Sequence, residues 1–185
     1  MYDVLSQYYD LIHEQLIEDI DFVLALAKEC GGPILELGCG TGRLLLPLVR
    51  AGFIVTGVDY EQAMLDLARQ HLVEEMDEVQ KRSTLVQADL RGLMLPSEEN
   101  HYALALFSYN TMLHFQPHEL GQTLRRIRRY LLPDGRLFLD VANPYVIESI
   151  QYEESPLLEN SFASPVTGEM INQLSQSRLD SSNQC

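Results

Sequence analysis

The stretch ILELGCGTGR at residues 34–43 decides the fold of this chain. A short apolar run that contains Glu36 is followed by glycine at every second position from Gly38 to Gly42. An apolar run bounded by glycine predicts a buried strand, and the leucine-rich residues that follow predict a helix facing the core. Glycine accepts positive φ and has no Cβ, so a ligand can lie against the backbone. The following helix offers unpaired N–H groups. The stretch therefore predicts a cofactor-binding turn between a strand and a helix.

Strands and helices alternate along the rest of the chain. The predicted strands are 33–37, 53–58, 84–88, 102–107 and 136–141. The predicted helices are 3–30, 42–51, 62–72 and 117–131. This alternation predicts an α/β fold of the Rossmann-like, doubly wound type, with a mostly parallel sheet and helices on both faces. Ligands of such sheets bind beyond the carboxyl ends of the strands, so Asp59, Asp89 and residues 107–110 are expected beside the glycine turn.

The composition indicates one globular domain with a single core, since the chain has 185 residues of which 46% are hydrophobic. The formal net charge of −14 disfavours a nucleic-acid partner, because the field repels phosphate groups. The four arginines at 125–129 fall on the solvated face of a predicted helix. We find no signal-peptide pattern, no apolar run long enough for a bilayer and no paired cysteine spacing, so we expect no membrane partner and a cytoplasmic protein with reduced thiols.

The spacing of the glycines separates the candidate cofactors. The dinucleotide fingerprint G-x-G-x-x-G would need a glycine where the chain has Arg43 or Leu45. A phosphate-binding loop would need Lys followed by Ser or Thr, and the stretch has neither. A nucleotide-dependent oxidoreductase is therefore a weak alternative.

Five motifs, in this order, resemble those of the class I S-adenosylmethionine-dependent methyltransferases. They are LELGCGTG at 35–42, VD at 58–59, QADL at 87–90, LFSYN at 106–110 and LLPDGRL at 131–137. The YYD at 8–10 also resembles the N-terminal segment of the small-molecule members of the family. The resemblance implies S-adenosylmethionine as the cofactor and a small molecule as the methyl acceptor.

The resemblance also implies a set of cofactor contacts. Asp59 would accept the ribose hydroxyls, and Asp89 the adenine amino group. Glu36 would orient the turn or reach the ammonium group of the cofactor, and Tyr9 would close over its amino-acid tail. Each has a structural alternative: a helix cap for Asp59, a turn for Asp89, a structural hydrogen bond for Glu36 and packing for Tyr9. The predicted cofactor-binding residues are Tyr9, Glu36, Gly38, Cys39, Gly40, Gly42, Asp59, Tyr60, Met64, Asp89, Leu90 and Phe107.

Methyl transfer depends mainly on alignment of the reacting atoms, and a base is needed only if the acceptor loses a proton. His114 follows the 106–110 motif and is the candidate base, with packing as the alternative. We interpret Cys39 as a small residue that fits the turn rather than a nucleophile. No metal is expected, because residues 108–110 lack the carboxylates that metal-dependent relatives carry there.

The C-terminal region departs from the family. The resemblance implies an antiparallel pair of strands after the fifth strand, but the sequence predicts a loop or lid at 151–169 and at most one strand at 170–179. We divide the single domain, 1–185, into a helical cap (1–30), a cofactor-binding core (31–145) and a lid with a partial strand (146–185). The unpaired sheet edge predicts oligomerisation, with a homodimer as the expected form, or low stability. The alternative function is a non-catalytic S-adenosylmethionine-binding module or a fragment of a methyltransferase.

Overall fold

The structure is a computed structural model that describes residues 2–13, 16–95, 99–143, 156–164 and 167–176. The helices are α1 (Tyr2–His13), α2 (Ile20–Cys30), α3 (Leu45–Arg50), α4 (Gln62–Val73), α5 (Asp77–Gln80) and α6 (Pro117–Tyr130). The strands are β1 (Ile34–Leu37), β2 (Val55–Asp59), β3 (Ser83–Gln87), β4 (Tyr102–Phe107), β5 (Leu131–Leu139), β6 (Leu157–Ala163) and β7 (Met170–Ser175). Short 3₁₀ helices lie at Leu90–Gly92 and Thr111–His114.

Five parallel strands form the main sheet in the order β3-β2-β1-β4-β5. Ile34 of β1 pairs with Val55 on one side and with Leu104 on the other. The chain therefore leaves β1 in one direction for β2 and β3, and returns to its other side for β4 and β5. This reversal creates the crevice in which such sheets bind ligands, and the predicted fold class is confirmed.

The central strands are buried on both faces. Ile34 and Leu104 belong to a core cluster that includes residues of α2 and α3. Their neighbours Leu35 and Ala105 belong to a second cluster, which includes Ile127 of α6. Because both faces are covered, successive side chains of these strands are all apolar or buried, which explains the continuous apolar runs in the sequence.

The N-terminal region differs from the prediction, because two helices replace the single helix expected over 3–30. α1 ends at His13, and α2 begins at Ile20. The guanidinium of Arg43 donates to the carbonyl oxygen of Leu16 at 2.8 Å and pairs with the carboxylate of Asp19. These contacts come from a distant part of the chain, so the break has no local sequence signal.

The loop predicted over 151–169 is wrong at residues 157–163, which form β6. This strand pairs with β7 in an antiparallel hairpin, and the predicted strand beginning at Met170 is present. Within the described ranges the hairpin forms its own sheet and does not pair with β5. Phe162 of the hairpin contacts the Tyr8 ring of α1 at a centroid distance of 5.8 Å. The remainder of the predicted lid, at 151–155 and 165–166, lies outside the described residues.

Among the described residues, no helix combines the length and the apolar character needed to cross a bilayer.

Candidate active site

A cavity of about 690 Å³ opens at the carboxyl ends of the parallel strands. The turns after β1, β2, β3 and β4 all contribute residues to its wall, together with α1 and β7. Its volume falls within the range of small-molecule and cofactor sites. The reversal of strand order between β1 and β4 places this cavity where the fold predicts a ligand site.

The glycine turn is tied to β2 and leaves open space toward the cavity. The N–H groups of Gly38 and Cys39 both donate to the carbonyl oxygen of Val58, at 2.8 and 3.0 Å. Gly38 and Gly40 have φ angles of +78° and +54°, which favour glycine. A Cβ on Gly38 would lie 2.5 Å from Thr111 Cγ2, whereas a Cβ on Gly40 would meet no atom within 4 Å. Packing therefore requires glycine at the first position, and the space beside the second can hold a ligand.

Asp59 joins the glycine turn to the start of α4. Its Oδ2 accepts a hydrogen bond from the N–H of Gly40 at 2.8 Å, and its Oδ1 accepts from the N–H of Glu61 at 2.9 Å. Asp59 also lines the cavity. Each carboxylate oxygen has a second lone pair, so the side chain can hold the turn and accept from a ligand at the same time.

Glu36 is a buried carboxyl group with an unsatisfied oxygen. Its exposed fraction is 1%, and its Oε2 has no hydrogen-bond partner among the described residues. Burial raises the pKa of Glu36 to about 8; the cation of Arg43 opposes the shift, and the carboxylates of Asp59 and Asp19 reinforce it. A buried acceptor without a donor is destabilising by about 1–3 kcal/mol. Such a group marks a place where a donor or a cation would be stabilised.

The loop after β3 presents Asp89, Leu90 and Arg91 to the cavity. The Oδ1 of Asp89 accepts from the backbone N–H of Arg91 at 2.9 Å and from its Nε at 3.0 Å. Partial burial alone would raise the pKa of Asp89, but these hydrogen bonds and the Arg91 charge lower it below its usual value. Asp89 is therefore ionised. It stabilises the turn, which is the structural alternative that the sequence offered, and it also lines the cavity.

The loop after β4 has a left-handed backbone at two residues that are not glycine. Tyr109 and Asn110 have φ angles of +46° and +62°. Asp140, which follows β5, holds both: its Oδ2 accepts from the N–H of Tyr109 at 3.1 Å, and its backbone oxygen accepts from the N–H of Asn110 at 3.1 Å. The Oδ1 of Asn110 accepts from the N–H of Ala142 at 2.6 Å. The neighbouring strand end therefore maintains a backbone conformation that Tyr109 and Asn110 would otherwise avoid.

Three rings form one side of the cavity, and two of them come from α1. The centroids of Tyr9 and His13 are 4.1 Å apart, and the edge of His13 meets the Tyr109 ring at 5.2 Å. The Arg43 guanidinium lies 5.8 Å from the centroid of Tyr109, while it also binds both oxygens of Asp19, at 2.5 and 2.7 Å. The aromatic wall is thus attached to the β4 loop and to the residues between α1 and α2.

A hydrogen-bond network fastens α1 to the glycine turn. The Thr41 hydroxyl donates to Asp10 Oδ1 at 2.6 Å, and His71 Nδ1 donates to the carbonyl oxygen of Thr41 at 3.0 Å. His71 Nε2 lies 3.2 Å from Asp10 Oδ2. Because these residues belong to α1, the turn and α4, the first helix is a wall of the site.

The structure brings most of the predicted site residues to the cavity. Those that line it are Tyr9, Gly38, Gly40, Asp59, Tyr60, Met64, Asp89, Leu90 and His114. Four others are absent from its wall: Glu36, Cys39, Gly42 and Phe107. Phe107 is fully buried at the end of β4. Burial raises the pKa of the Cys39 thiol far above its usual value, so the thiol stays protonated. No cluster of three or more His, Cys, Asp or Glu side chains suited to a metal lies within the described ranges.

Several cavity residues were not predicted from the sequence. They include His13, Arg91, Thr111 and Gln173, whereas Tyr109 lies in the segment 107–110 that was expected beside the glycine turn. His13 follows Tyr9 by four residues, so the helical period places both on one face, and that signal was available. Gln173 had no such signal, because only the tertiary packing of the hairpin brings β7 to the cavity.

Comparisons with known proteins agree with this architecture. A family model described as a methyltransferase domain matches residues 34–135. A protein of Geobacillus sp. (strain WCH70) that is named as a methyltransferase is 30% identical over 155 residues, which is 80% of this chain and 60% of that protein. The ubiquinone biosynthesis O-methyltransferase of Haemophilus ducreyi is 33% identical over 118 residues, which is 61% of this chain and 46% of that enzyme.

Solved structures similar to this chain include ligand complexes. The glycopeptide N-methyltransferase MtfA in complex with S-adenosyl-L-methionine aligns with a TM-score of 0.58 and 25% identity, over 83% of this chain and 64% of that one. The chain therefore spans only about half to two thirds of the length of these proteins. Because the family model covers more than half of the chain, and a relative of 30% identity covers four fifths of it, the chain belongs to the class I S-adenosylmethionine-dependent methyltransferase family.

Proposed function

We propose that this protein transfers a methyl group from S-adenosylmethionine to a small-molecule acceptor. The observation that carries this proposal is the pairing of Gly40 with Asp59 at the cavity wall. The glycine offers open space and a positive φ, and the carboxylate is held 2.8 Å from its N–H. This pair fits a ligand that carries a sugar with free hydroxyl groups for Asp59 and a second part that lies close to the backbone of Gly40.

The groups around the cavity fit S-adenosylmethionine. Asp59 would accept from the ribose hydroxyls, and Leu90 with Asp89 would lie along the adenine. Glu36 lies behind the cavity wall, so its unsatisfied Oε2 would bind the ammonium group through water. When bound, the cofactor supplies a methyl group on a positively charged sulfur. The contribution of the chain is to align the acceptor with that group and to exclude water, which can account for several kcal/mol of the barrier.

The charges at the cavity favour a neutral or cationic acceptor with an apolar body. Asp59, Glu61 and Asp89 supply three carboxylates, against one cation from Arg91. Rings on one side provide an apolar surface for a flat molecule. A small molecule therefore fits better than a nucleic acid, whose phosphates the net charge of −14 also disfavours.

The proposal extends to assembly and location. Within the described ranges β5 has a strand partner on one side only, and Leu137 and Leu139 of this strand are partly exposed. An open, apolar edge strand favours pairing with a second copy, so we propose a homodimer through β5.

Cys30 and Cys39 are free thiols, which supports a cytoplasmic location.

A non-catalytic binding module is the second candidate. It is supported by the hairpin, which does not extend the main sheet within the described residues. Both candidates require S-adenosylmethionine binding, so they are separated by turnover alone.

Ligand binding tests the proposal first. Thermal shift and calorimetry with S-adenosylmethionine, S-adenosylhomocysteine, NAD and NADP should show stabilisation by the first two only. Asp59→Ala should weaken S-adenosylmethionine binding by about 100-fold, since two charge-assisted hydrogen bonds are lost. The matched control is Asp66→Ala on α4, whose carboxylate contacts Gln62 and Arg69 at the surface. Stabilisation by NAD alone, or unchanged affinity in Asp59→Ala, would contradict the proposal.

Turnover is tested second, with S-adenosylmethionine that carries an isotope label on its methyl group and a metabolite extract as the acceptor source. Label in an extract component indicates an enzyme. Binding without any labelled product would favour the module.

A further inference from the structure

We propose that His13, rather than His114, is the catalytic base that takes a proton from the acceptor; this inference rests on the proposed function. His13 is the last residue of α1, is half-buried and lines the cavity. The acceptor is then a molecule that loses a proton from its reacting atom, as an O–H or N–H group does.

The hydrogen bond at Nδ1 determines which ring nitrogen can act. His13 Nδ1 lies 2.7 Å from the carbonyl oxygen of Tyr9. A carbonyl oxygen only accepts, so Nδ1 carries the proton. In the neutral ring the other nitrogen, Nε2, then has a free lone pair. Nε2 has no hydrogen-bond partner among the described residues, so it is available to a proton donor in the cavity.

The surroundings hold the ring in place. The Tyr9 ring lies 4.1 Å away at 31°, and Tyr109 meets the imidazole at 85°. A ring with contacts on two sides has few orientations, which is the pre-organisation that proton transfer needs.

His114 lacks these features. It ends the 3₁₀ helix Thr111–His114 and its side chain is exposed. No hydrogen bond fixes its ring among the described residues. A ring without such a bond selects neither a tautomer nor an orientation.

The proposed step is balanced as a displacement. The O–H or N–H bond of the acceptor breaks, and its proton moves to Nε2 of His13. The electron pair of the acceptor forms the new bond to the methyl carbon. The carbon–sulfur bond breaks, and its electron pair stays on sulfur, which leaves as a neutral thioether. His13 later releases its proton to water, which restores the neutral ring.

The tautomer can be tested without turnover. In protein labelled with ¹⁵N at histidine, NMR of the neutral His13 ring should show the proton on Nδ1 and a pyridine-like Nε2. His13→Gln assigns the signals. A proton on Nε2 of the neutral ring would overturn the inference, whatever the acceptor is.

Turnover provides the second test, with labelled S-adenosylmethionine and metabolite extract. His13→Gln should lower labelling of the extract by about 100-fold or more, while the calorimetric affinity for S-adenosylmethionine stays unchanged within error. His101→Gln, an exposed histidine just before β4, is the control and should keep full activity. Full activity in His13→Gln, or a loss confined to His114→Gln, would overturn the inference. Failure of the wild type to label any component, with the Nδ1 tautomer still observed, would instead contradict the proposed function.

Discussion

Two loops at the same edge of the sheet use the same unusual backbone in different ways. The turn after β1 has positive φ at Gly38 and Gly40, and the loop after β4 has positive φ at Tyr109 and Asn110. In glycine the left-handed region carries no steric penalty, whereas in other residues it costs about 1–2 kcal/mol each. The first loop therefore adopts this backbone without a steric penalty.

The second loop depends on a distant part of the chain. Asp140 accepts from the N–H groups of Tyr109 and Asn110, and Ala142 donates to the Asn110 side chain. Glycine positions in the sequence thus permit the backbone on the cofactor side of the cavity, whereas the loop on the side proposed for the acceptor keeps its backbone only through contacts with another element. Strain of this kind concentrates at functional sites, and the loop carries Tyr109, which contacts the proposed base.

The largest effect is expected from Gly38→Ala. The new Cβ would lie 2.5 Å from Thr111 Cγ2, and the Thr111 hydroxyl is held at 2.7 Å by the carbonyl oxygen of Ser108. The side chain therefore cannot rotate away freely. We expect S-adenosylmethionine binding to fall below detection in calorimetry, together with a lower melting temperature.

Gly52→Ala is the matched control for this substitution. Gly52 has a φ of +99°, and a Cβ there would meet no atom within 4 Å. It should lose about 1–2 kcal/mol of stability from backbone strain and keep its cofactor affinity. Adding Thr111→Ala to Gly38→Ala should restore part of the binding. Equal affinities in Gly38→Ala and the wild type would show that packing against the β4 loop does not shape the turn.

The second prediction concerns the pH dependence of Glu36. Its pKa is raised from 4.5 to about 8 in the folded protein, so the native state keeps a proton that the unfolded state has lost. The free energy of unfolding should therefore fall as pH rises through this interval. The slope corresponds to a difference of up to one bound proton between the native and unfolded states. Glu36→Gln should remove this component, as measured by denaturant unfolding across the interval.

Glu74→Gln, which changes an exposed carboxyl after α4, is the control and should retain the wild-type slope. If an ammonium group pairs with Glu36, cofactor binding at neutral pH should also release a proton, detectable by calorimetry in buffers of different ionisation enthalpy. A wild-type slope that persists in Glu36→Gln would rule out Glu36 as its source.

The smallest effect is expected in the second loop, from Asn110→Ala. This change places alanine at a φ of +62° and removes the 2.6 Å bond to Ala142. Stability should fall by about 2 kcal/mol. Asn100→Ala, at a φ of +55° in an exposed turn, should lose only about 1 kcal/mol. Equal losses in the two variants would mean that the tertiary bond contributes nothing to the loop.

Much of the fold could be predicted because its signals are local. The run at β1 and the wholly apolar β4 are continuous in sequence, since helices cover both faces of those strands. The break between α1 and α2 and the strand β6 were missed. The first depends on Arg43, which is remote in sequence, and β6 is exposed over almost its whole length, so burial imposed no pattern on it.

The residues of the site also differ in whether a local sequence signal could place them. Asp59 and Asp89 could be placed because they directly follow strands, and the carboxyl ends of parallel strands meet at one edge. Tyr109 follows β4 and could be expected at the same edge. His13 and Gln173 come from a helix end and a hairpin, and no strand order specifies that they reach it.

The glycine spacing and the residues at the strand ends were sufficient for the fold class and the kind of cofactor, because φ preferences and strand burial act between near neighbours in the chain. The tertiary structure alone decided the shape of the opposite wall. There, α1 is held by Thr41 and His71, and the β4 loop by Asp140. These contacts join residues at least 30 positions apart, and a hydrogen bond over that separation leaves no periodic trace in the sequence.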